Sequence, residues 1–140
     1  MNARFEFGEN FLEIANVKCD YEEAKRGNQY NTLLDLRVQS DNGRFTGVGD
    51  FECDIAQIVQ FADELEELYD LKRNSVKLEE FIGLENEIEF IFERNGHIIV
   101  LGTISNYNHS MEFEFEADQT ALPPFIKRLR EILKSYRSGR

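Results

Sequence analysis

The 140 residues of this chain suit one domain, residues 1–140, whose core needs neither disulfides nor metal. With 27 acidic and 16 basic residues the net charge is −11, which argues against nucleic acid as a ligand and for a basic protein partner. The sequence shows no leader-like segment and no apolar run of membrane length, so we expect a cytoplasmic protein that does not bind membranes.

Three strands and a charged loop are predicted over the first forty residues. Phe5 and Phe7 alternate with polar residues, which predicts a strand, and a turn leads into a second strand over Phe11–Val17. Residues 18–29 are charged and irregular, which favours a loop. Tyr30–Ser40 alternates well, so a third strand with one buried face is expected.

A hairpin is predicted at Asn42-Gly43. This dipeptide favours a two-residue type I′ turn, because that turn needs positive φ at both positions. The chain then returns as a fourth strand over Arg44–Glu52, in a register that pairs Leu36 with Gly49.

A helix is predicted to begin after Asp54. Asp54 followed by Gln57 is a capping-box pattern, in which two side chains accept hydrogen bonds from backbone N–H groups that have no partner within the helix. Apolar residues then recur at three-to-four spacing, which is typical of a helix packed on a core. This stripe consists of Ile55, Ile58, Val59, Ala62, Leu65 and Tyr69.

A second set of strands follows this helix. Residues 76–82 are ambiguous, whereas Glu85–Arg94 alternates strictly and leads into a second Asn-Gly hairpin signal at Asn95-Gly96. His97–Tyr107 is apolar on both faces, so it is expected to be a central strand.

Met111–Ala117 is the last predicted strand, and the final helix is predicted from about Thr120. The apolar stripe of this helix consists of Phe125, Ile126, Leu129, Ile132, Leu133 and Tyr136. The element order is therefore ββββ-α-βββ-α. We predict an α+β domain with a mainly antiparallel sheet of about seven strands and two helices on one face.

Patterns for catalysis and metal binding are missing from the sequence. His97 and His109 lie at predicted turns, where a histidine is usually solvated. Cys19 and Cys53 form no CxxC pair and have no histidine at ligand spacing. Most carboxylates occupy alternating, exposed positions, which favour ordinary pKa values. We therefore predict that the protein is not an enzyme and has no catalytic residues, metal or cofactor.

The second hairpin predicts an acidic face with an apolar centre. A two-residue turn pairs Phe92 with Ile99 and places both under the helices. If a three-residue loop follows at Tyr107–His109, the opposite face has apolar residues between two acidic strands, which is the anatomy of a protein interface. The predicted partner-binding residues are Glu87, Glu89, Glu93, Ile98, Val100, Ile104, Glu112, Glu114 and Glu116.

Two alternatives to this surface stay open. The apolar centre could be covered by residues 18–29 or by the N-terminal strand. A two-residue turn after the central strand would also reverse the parity of the last strand, because side chains alternate with a period of two.

Segments along nearly the whole chain resemble the WapI-type bacterial immunity proteins. The segments are FEFGENFLEI, YNTLLDLRV, DIAQIVQFADELEEL, NGHIIVLGTI and FEFEADQTAL leading into PFIKRLREIL. Proteins of this family neutralise the toxic C-terminal domains of contact-delivered polymorphic toxins. The resemblance implies a non-catalytic protein that acts by occluding a toxin, and it assigns no ligand residues.

Three hypotheses follow. The first is a cytoplasmic immunity protein that binds a basic toxin domain, expected to be a nuclease, in a one-to-one complex. The second is a non-catalytic interaction module that self-associates or scaffolds other proteins, as a monomer or weak homodimer. The third is a small enzyme or ligand-binding domain, whose sign would be a deep pocket with a buried carboxylate.

Overall fold

The computed structural model describes residues 2–80 and 86–138, with side chains described up to Ser135. This part of the chain forms eight strands and three helices. In chain order they are β1 (Ala3–Phe7), β2 (Asn10–Cys19), α1 (Tyr21–Lys25), β3 (Thr32–Ser40), β4 (Phe45–Cys53), α2 (Ile55–Tyr69), β5 (Ser75–Glu79), β6 (Glu87–Phe92), β7 (His97–Asn106), β8 (His109–Asp118) and α3 (Leu122–Ser138). Residues 81 and 82 of the ambiguous segment, residue 85 of the strand predicted over Glu85–Arg94, and the Tyr136 side chain of the last apolar stripe lie outside the described part.

The first sheet is an antiparallel meander in the order β1-β2-β3-β4. The predicted register of its last hairpin is confirmed, since Leu36 pairs with Gly49. The turn differs from the prediction, because the last pair is Ser40 with Phe45 and four residues connect them. Positive φ values at Asp41, Asn42 and Gly43 (52°, 57° and 88°) form this wider turn without changing the register.

The second sheet is another antiparallel meander, β5-β6-β7-β8, and α2 connects it to the first. The α+β class and the antiparallel pairing are confirmed. The prediction of one sheet with about seven strands is wrong in detail, because eight described strands divide into two sheets of four. The two sheets meet where β4 packs against β7 at Gly47 and Gly49. The missing side chains allow a close approach there, and no ladder joins the two strands.

Two helix starts were recognisable in the sequence. Asp54 accepts a hydrogen bond from the Ala56 N–H at 2.9 Å, and Gln57 accepts one from the Asp54 N–H at 3.2 Å, so the capping box is confirmed. The prediction of a loop over residues 18–29 is wrong in part, because β2 extends to Cys19 and Asp20 caps the five-residue helix α1 through the Glu23 N–H. Before α3, Asp118 accepts from the Thr120 N–H at 2.9 Å, and a 3₁₀ turn precedes the helix.

Aromatic rings from both sheets and both long helices meet in one core. The Phe5 ring of β1 lies 5.1 Å from Phe90 of β6 in an edge-to-face contact, and 5.9 Å from Phe125 of α3. Phe61 of α2 contacts the same Phe90 at 5.9 Å. Edge-to-face pairs of this kind add about 0.5–1.5 kcal/mol each beyond the burial of their area. The outer surfaces of the two sheets and of the two long helices therefore remain for a partner.

The basic residues of α3 lie partly against the acidic surface of α2. Arg130 donates to Asp63 at 3.0 Å and to Glu66 at 3.2 Å. These contacts offset acidic charge on the helices and leave the acids of the second sheet unaffected. Among the described residues, no helix combines the length and apolar composition needed to cross a membrane.

Candidate partner-binding surface

The outer surface of the second sheet, which we call the acidic face, is formed by alternate residues of β5, β6, β7 and β8. The pairing of the strands sets three rows across it. The rows are Glu79–Glu87–Thr103–Glu112, Lys77–Glu89–Leu101–Glu114 and Ser75–Ile91–Ile99–Glu116. The residues between them in sequence point inward, as Phe90, Val100 and Phe115 show by their burial.

Five of the predicted acidic residues lie together on this surface. Glu87 and Glu89 are half-buried on β6, and Glu112, Glu114 and Glu116 are exposed on β8. A sixth predicted residue, Glu93, is exposed one residue beyond β6, beside the turn that leads to β7.

The three apolar residues of the predicted site are not on this surface. Ile98, Val100 and Ile104 are 0–2% exposed and belong to the core, so they cannot contact a partner in this fold. The predicted hairpin register is wrong by one residue, because Phe92 pairs with Ile98 instead of Ile99.

The turn between β6 and β7 explains the error. Three residues, Arg94–Gly96, connect Glu93 to His97, and the Glu93 N–H donates to the His97 carbonyl at 2.8 Å. Asn95 and Gly96 both have positive φ, as the Asn-Gly signal requires, but in a longer turn than a two-residue type I′. One added residue moves every side chain of β7 to the other face.

A second difference restores the acidic residues to one surface. The turn between β7 and β8 contains two residues, Tyr107 and Asn108, since Asn106 pairs with His109. The sequence-based surface assumed a three-residue loop there. Two errors of one residue therefore cancel in β8, and Glu112, Glu114 and Glu116 lie on the same side as Glu87.

The apolar centre of the acidic face was missed in the sequence. It consists of Ile91, Ile99 and Leu101, all half-buried, and Ile99 pairs with both Ile91 and Glu116. A three-residue turn at the second hairpin would have indicated them, but β7 is apolar on both faces and gives no preference. An apolar centre between two acidic strands is thus present, with different residues from those predicted.

Most carboxylates of the acidic face have no cation beside them. The rows contain six glutamates and one lysine, a balance of −5. The described residues provide one ion pair to these glutamates, from Lys77 to Glu87 at 3.9 Å. Because the remaining carboxylates are not neutralised within the described chain, their field extends into solvent and attracts positive charge.

The outer surface of the first sheet is different. Glu13, whose side chain is 5% exposed, accepts from Arg4 at 3.0 Å and from Arg37 at 3.3 Å. Its charge is satisfied within the protein. Of the two sheet surfaces, the acidic face is therefore the one with a strong charge of a single sign.

A shallow groove crosses the acidic face, with a volume of about 390 Å³. Glu87 and Glu112 line its edges, and Leu101 and Thr103 lie between them. The described residues contain no cluster of His, Cys, Asp and Glu side chains that could hold a metal ion.

Two ionisable groups of the described residues, Cys53 and Asp118, have a shifted pKa. Burial, with a smaller contribution from Asp54, raises the pKa of the Cys53 thiol to about 12. The hydrogen bond from the Thr120 backbone lowers the pKa of the Asp118 carboxyl. The first shift reflects core packing and the second reflects the cap before α3.

Comparison with protein families identifies the kind of protein. The model of the immunity protein WapI-like family matches residues 4–137, nearly the whole chain. The chain belongs to this WapI-like immunity family. The resemblance predicted from the sequence is confirmed, and it supports a role as an immunity protein that binds a toxin partner. Proteins of this family are generally non-catalytic.

Other comparisons add information on the fold alone. A solved structure described as crystal structures of Trypanosoma bruciei MRP1/MRP2 matches with a TM-score of 0.52 and 10% sequence identity. The match covers 99% of this chain and 85% of that one. No curated protein matches this WapI-like chain.

Proposed function

We propose that this WapI-like protein neutralises a bacterial nuclease toxin by covering its active groove with the acidic face. The observation that supports this most directly is the pair of acidic strands, β6 and β8, on either side of Ile99 and Leu101. Family membership supplies the class of partner, and the acidic face supplies the charge that a basic toxin domain would meet.

The charge of the acidic face suits a nuclease in particular. Nucleases hold phosphates with lysine and arginine side chains, so their grooves are positively charged. A surface of opposite sign speeds the encounter, and association steered in this way can be several orders of magnitude faster than for a neutral pair. Fast binding suits an immunity protein, because the toxin must be captured before it reaches its substrate.

The centre of the acidic face supports a lasting complex. Ile91, Ile99 and Leu101 are half-buried and stand on a sheet that is held by its neighbours, so little side-chain freedom is lost on binding. Burial of apolar area at the centre of an interface contributes to slow dissociation, whereas charges at the rim mostly affect association. We propose a cytoplasmic, one-to-one complex of an immunity monomer with its toxin domain.

Self-association through the same surface is disfavoured by charge. Two copies of the acidic face would bring together two surfaces of the same sign, which costs free energy at low salt. A partner that uses the acidic face should therefore be a different, basic protein.

The proposal can be tested by capture followed by an inhibition assay. The tagged protein is expected to recover a basic toxin domain from its source cells in one-to-one ratio, and the purified toxin should lose nuclease activity when the protein is added. The variant E112K/E114K/E116K should lose inhibition. A matched control, E9K/E22K/E52K, changes the net charge equally at exposed positions away from the acidic face and should inhibit normally.

Two results would contradict this proposal. If the recovered toxin has no nuclease activity, the toxin class is wrong. If both triple variants inhibit equally well, the interface lies elsewhere on the protein, and the acidic surface of α2 is the next candidate.

A further inference from the structure

We infer that the acidic face imitates a nucleic-acid strand, so that its carboxylates occupy the phosphate-binding positions of the toxin groove. This inference rests on the proposed function and makes it more specific. Covering a groove requires only steric overlap, whereas imitation requires direct competition with the nucleic-acid backbone.

Carboxylate spacing along β8 is the first observation. Glu112, Glu114 and Glu116 alternate with the buried Phe113 and Phe115, so the three acids share one side of the strand. Successive side chains on one side of an antiparallel strand are about 7 Å apart. Successive phosphates along a single nucleic-acid strand are separated by a similar distance, so one row of cations can meet either row of anions.

The position of the apolar side chains is the second observation. Ile99 pairs with Glu116 and Leu101 with Glu114, so each apolar residue lies directly beside a carboxylate. A single nucleic-acid strand likewise has bases along one side of its charged backbone. Proteins that bind such strands combine a basic track with apolar or aromatic side chains that contact the bases. The acidic face presents a matching sequence of charge and apolar surface to such a groove.

A second acidic row predicts where the cations of the toxin groove lie. Glu87 and Glu89 on β6 lie two strands from β8, which corresponds to about 10 Å across the sheet. The toxin groove should therefore have cations on both sides of a less polar floor. This arrangement describes a cleft that encloses its substrate better than it describes a flat basic patch.

The sheet fixes the backbone positions of these acidic residues before binding occurs. Backbone pairing of β7 with both β6 and β8 fixes the rows relative to one another. Phe90 and Phe115, which alternate with the acidic residues, lie in the core beside Phe5. Because the strand backbone is already ordered, only the glutamate side chains must be ordered when they replace a substrate, which favours tight binding.

A displacement assay tests the inference with the toxin domain recovered by capture. The probe is a fluorescein-labelled 2′-O-methyl oligonucleotide, which binds ribonucleases but resists cleavage, or a phosphorothioate DNA strand if the toxin cleaves DNA. Fluorescence anisotropy measures the fraction of the oligonucleotide that is bound to the toxin domain. We expect the immunity protein to displace the oligonucleotide fully from the toxin domain. The concentration of immunity protein that gives half displacement should rise in proportion to the oligonucleotide concentration.

Glutamate-to-glutamine substitutions separate the effect of the carboxylate charge from the effect of side-chain size, because glutamine has a similar shape and no charge. The variant E112Q/E114Q/E116Q should need about tenfold or more protein for the same displacement, because the row of anions is removed while the surface is retained. The control E9Q/E22Q/E52Q removes equal charge elsewhere and should displace the oligonucleotide as the wild type does. The free energy of unfolding of both variants, measured in urea, shows that each is folded.

The outcomes distinguish the two proposals. If the wild type abolishes cleavage while the oligonucleotide stays bound to the toxin, imitation and covering of the groove are both refuted, and only neutralisation at another site of the toxin stands. Equal displacement of the oligonucleotide by both glutamine variants would refute imitation and leave covering of the groove intact. If the wild type neither inhibits cleavage nor releases the oligonucleotide, the proposed function fails together with this inference.

Discussion

The side-chain amide of Asn86 donates a hydrogen bond to the carbonyl oxygen of Asp50 at 2.8 Å, and this contact joins the second sheet to the first. The same side chain donates to Glu80 at 2.8 Å and accepts from the Ser105 N–H at 2.7 Å. Asn86 is 3% exposed. Gly49 makes the arrangement possible, because a Cβ at that position would lie 2.6 Å from the Asn86 Oδ1 atom. The relative position of the two sheets, and hence of the acidic face, depends on this side chain.

Replacing Asn86 should therefore destabilise the whole domain. Asn86→Ala removes three buried hydrogen bonds, and we expect the free energy of unfolding to fall by about 2–4 kcal/mol. Urea denaturation followed by circular dichroism measures the change. Asn74→Ala is the matched control, since Asn74 is exposed and its backbone carbonyl keeps its bond to Phe92. A loss below about 0.5 kcal/mol for Asn86→Ala would show that the sheets are held together without it.

Glycines at close contacts should differ in their tolerance of a methyl group. A Cβ at Gly102 would lie 2.1 Å from the backbone carbonyl oxygen of Glu87, whereas a Cβ at Gly47 would lie 2.8 Å from the Cδ1 atom of Ile104. The Ile104 side chain can rotate and the strand backbone cannot move freely. We expect Gly102→Ala to cost about 2–3 kcal/mol and Gly47→Ala about 1 kcal/mol or less. Thermal denaturation of the two variants under identical conditions measures the two losses. A larger loss of stability for Gly47→Ala than for Gly102→Ala would show that the backbone around Gly102 shifts easily to accept a methyl group.

Neutralising the acids of β8 should not weaken the fold. Glu112, Glu114 and Glu116 have no ion pair with any described residue, and like charges about 7 Å apart repel by about 0.6 kcal/mol per pair in water before screening by salt. The variant E112Q/E114Q/E116Q should therefore be as stable as the wild type or up to about 1 kcal/mol more stable, with the gain shrinking as salt is added. Urea titrations at low and high salt measure this. A clear loss of stability would mean that these carboxylates support the sheet and were not retained for a partner.

The Cys53 thiol should be unreactive in the folded protein. Burial raises its pKa from 9.0 to about 12, so almost no thiolate is present at pH 8, and the side chain is 0% exposed. In the Cys19→Ser variant, a disulfide reagent such as DTNB should react with Cys53 only on unfolding in urea. The Cys53→Ala variant provides the control, because it retains the partly exposed Cys19. Rapid reaction of Cys53 in native buffer would show that β4 opens locally.

The same shift gives a pH dependence with a definite sign. Between pH 9 and pH 12 the unfolded chain loses the Cys53 proton while the folded chain keeps it, so the unfolded state binds fewer protons. Stability from this group is fully present below pH 9 and falls as the pH rises towards 12, by up to about 1.4 kcal/mol per pH unit. Comparison of the wild type with Cys53→Ala in urea over this range isolates the contribution of the thiol. Parallel curves would contradict the assignment.

Local sequence patterns predicted the structure correctly where the outcome depends only on interactions between residues that are close in the chain. Asp54 and Gln57 identified the start of α2, because their side chains bond backbone N–H groups of the first turn whatever the rest of the fold does. The alternation through Leu34 and Leu36 identified the buried face of β3, and the Asn42-Gly43 signal set its register with β4, because a turn centred on these two residues pairs Leu36 with Gly49. That register survived even though the turn at Asn42 is wider than a two-residue turn.

The second hairpin shows where local patterns fail. Asn95 and Gly96 predicted positive φ correctly but did not reveal the number of residues in the turn. One residue more or less decides whether Ile98 or Ile99 faces the core.

The sequence by itself determined the family, the antiparallel α+β class, the acidic strands and the starts of the two long helices, because these depend on composition, alternation and side-chain capping within a few residues. Only the tertiary structure decided that the strands form two sheets and that Ile99 and Leu101, instead of Ile98 and Val100, lie beside the acids. The physical reason is that β7 is apolar on both faces, so burial is equally favourable locally in either register. The choice depends on how both sheets pack around Phe5, Phe90 and Phe125, which are far apart in the chain.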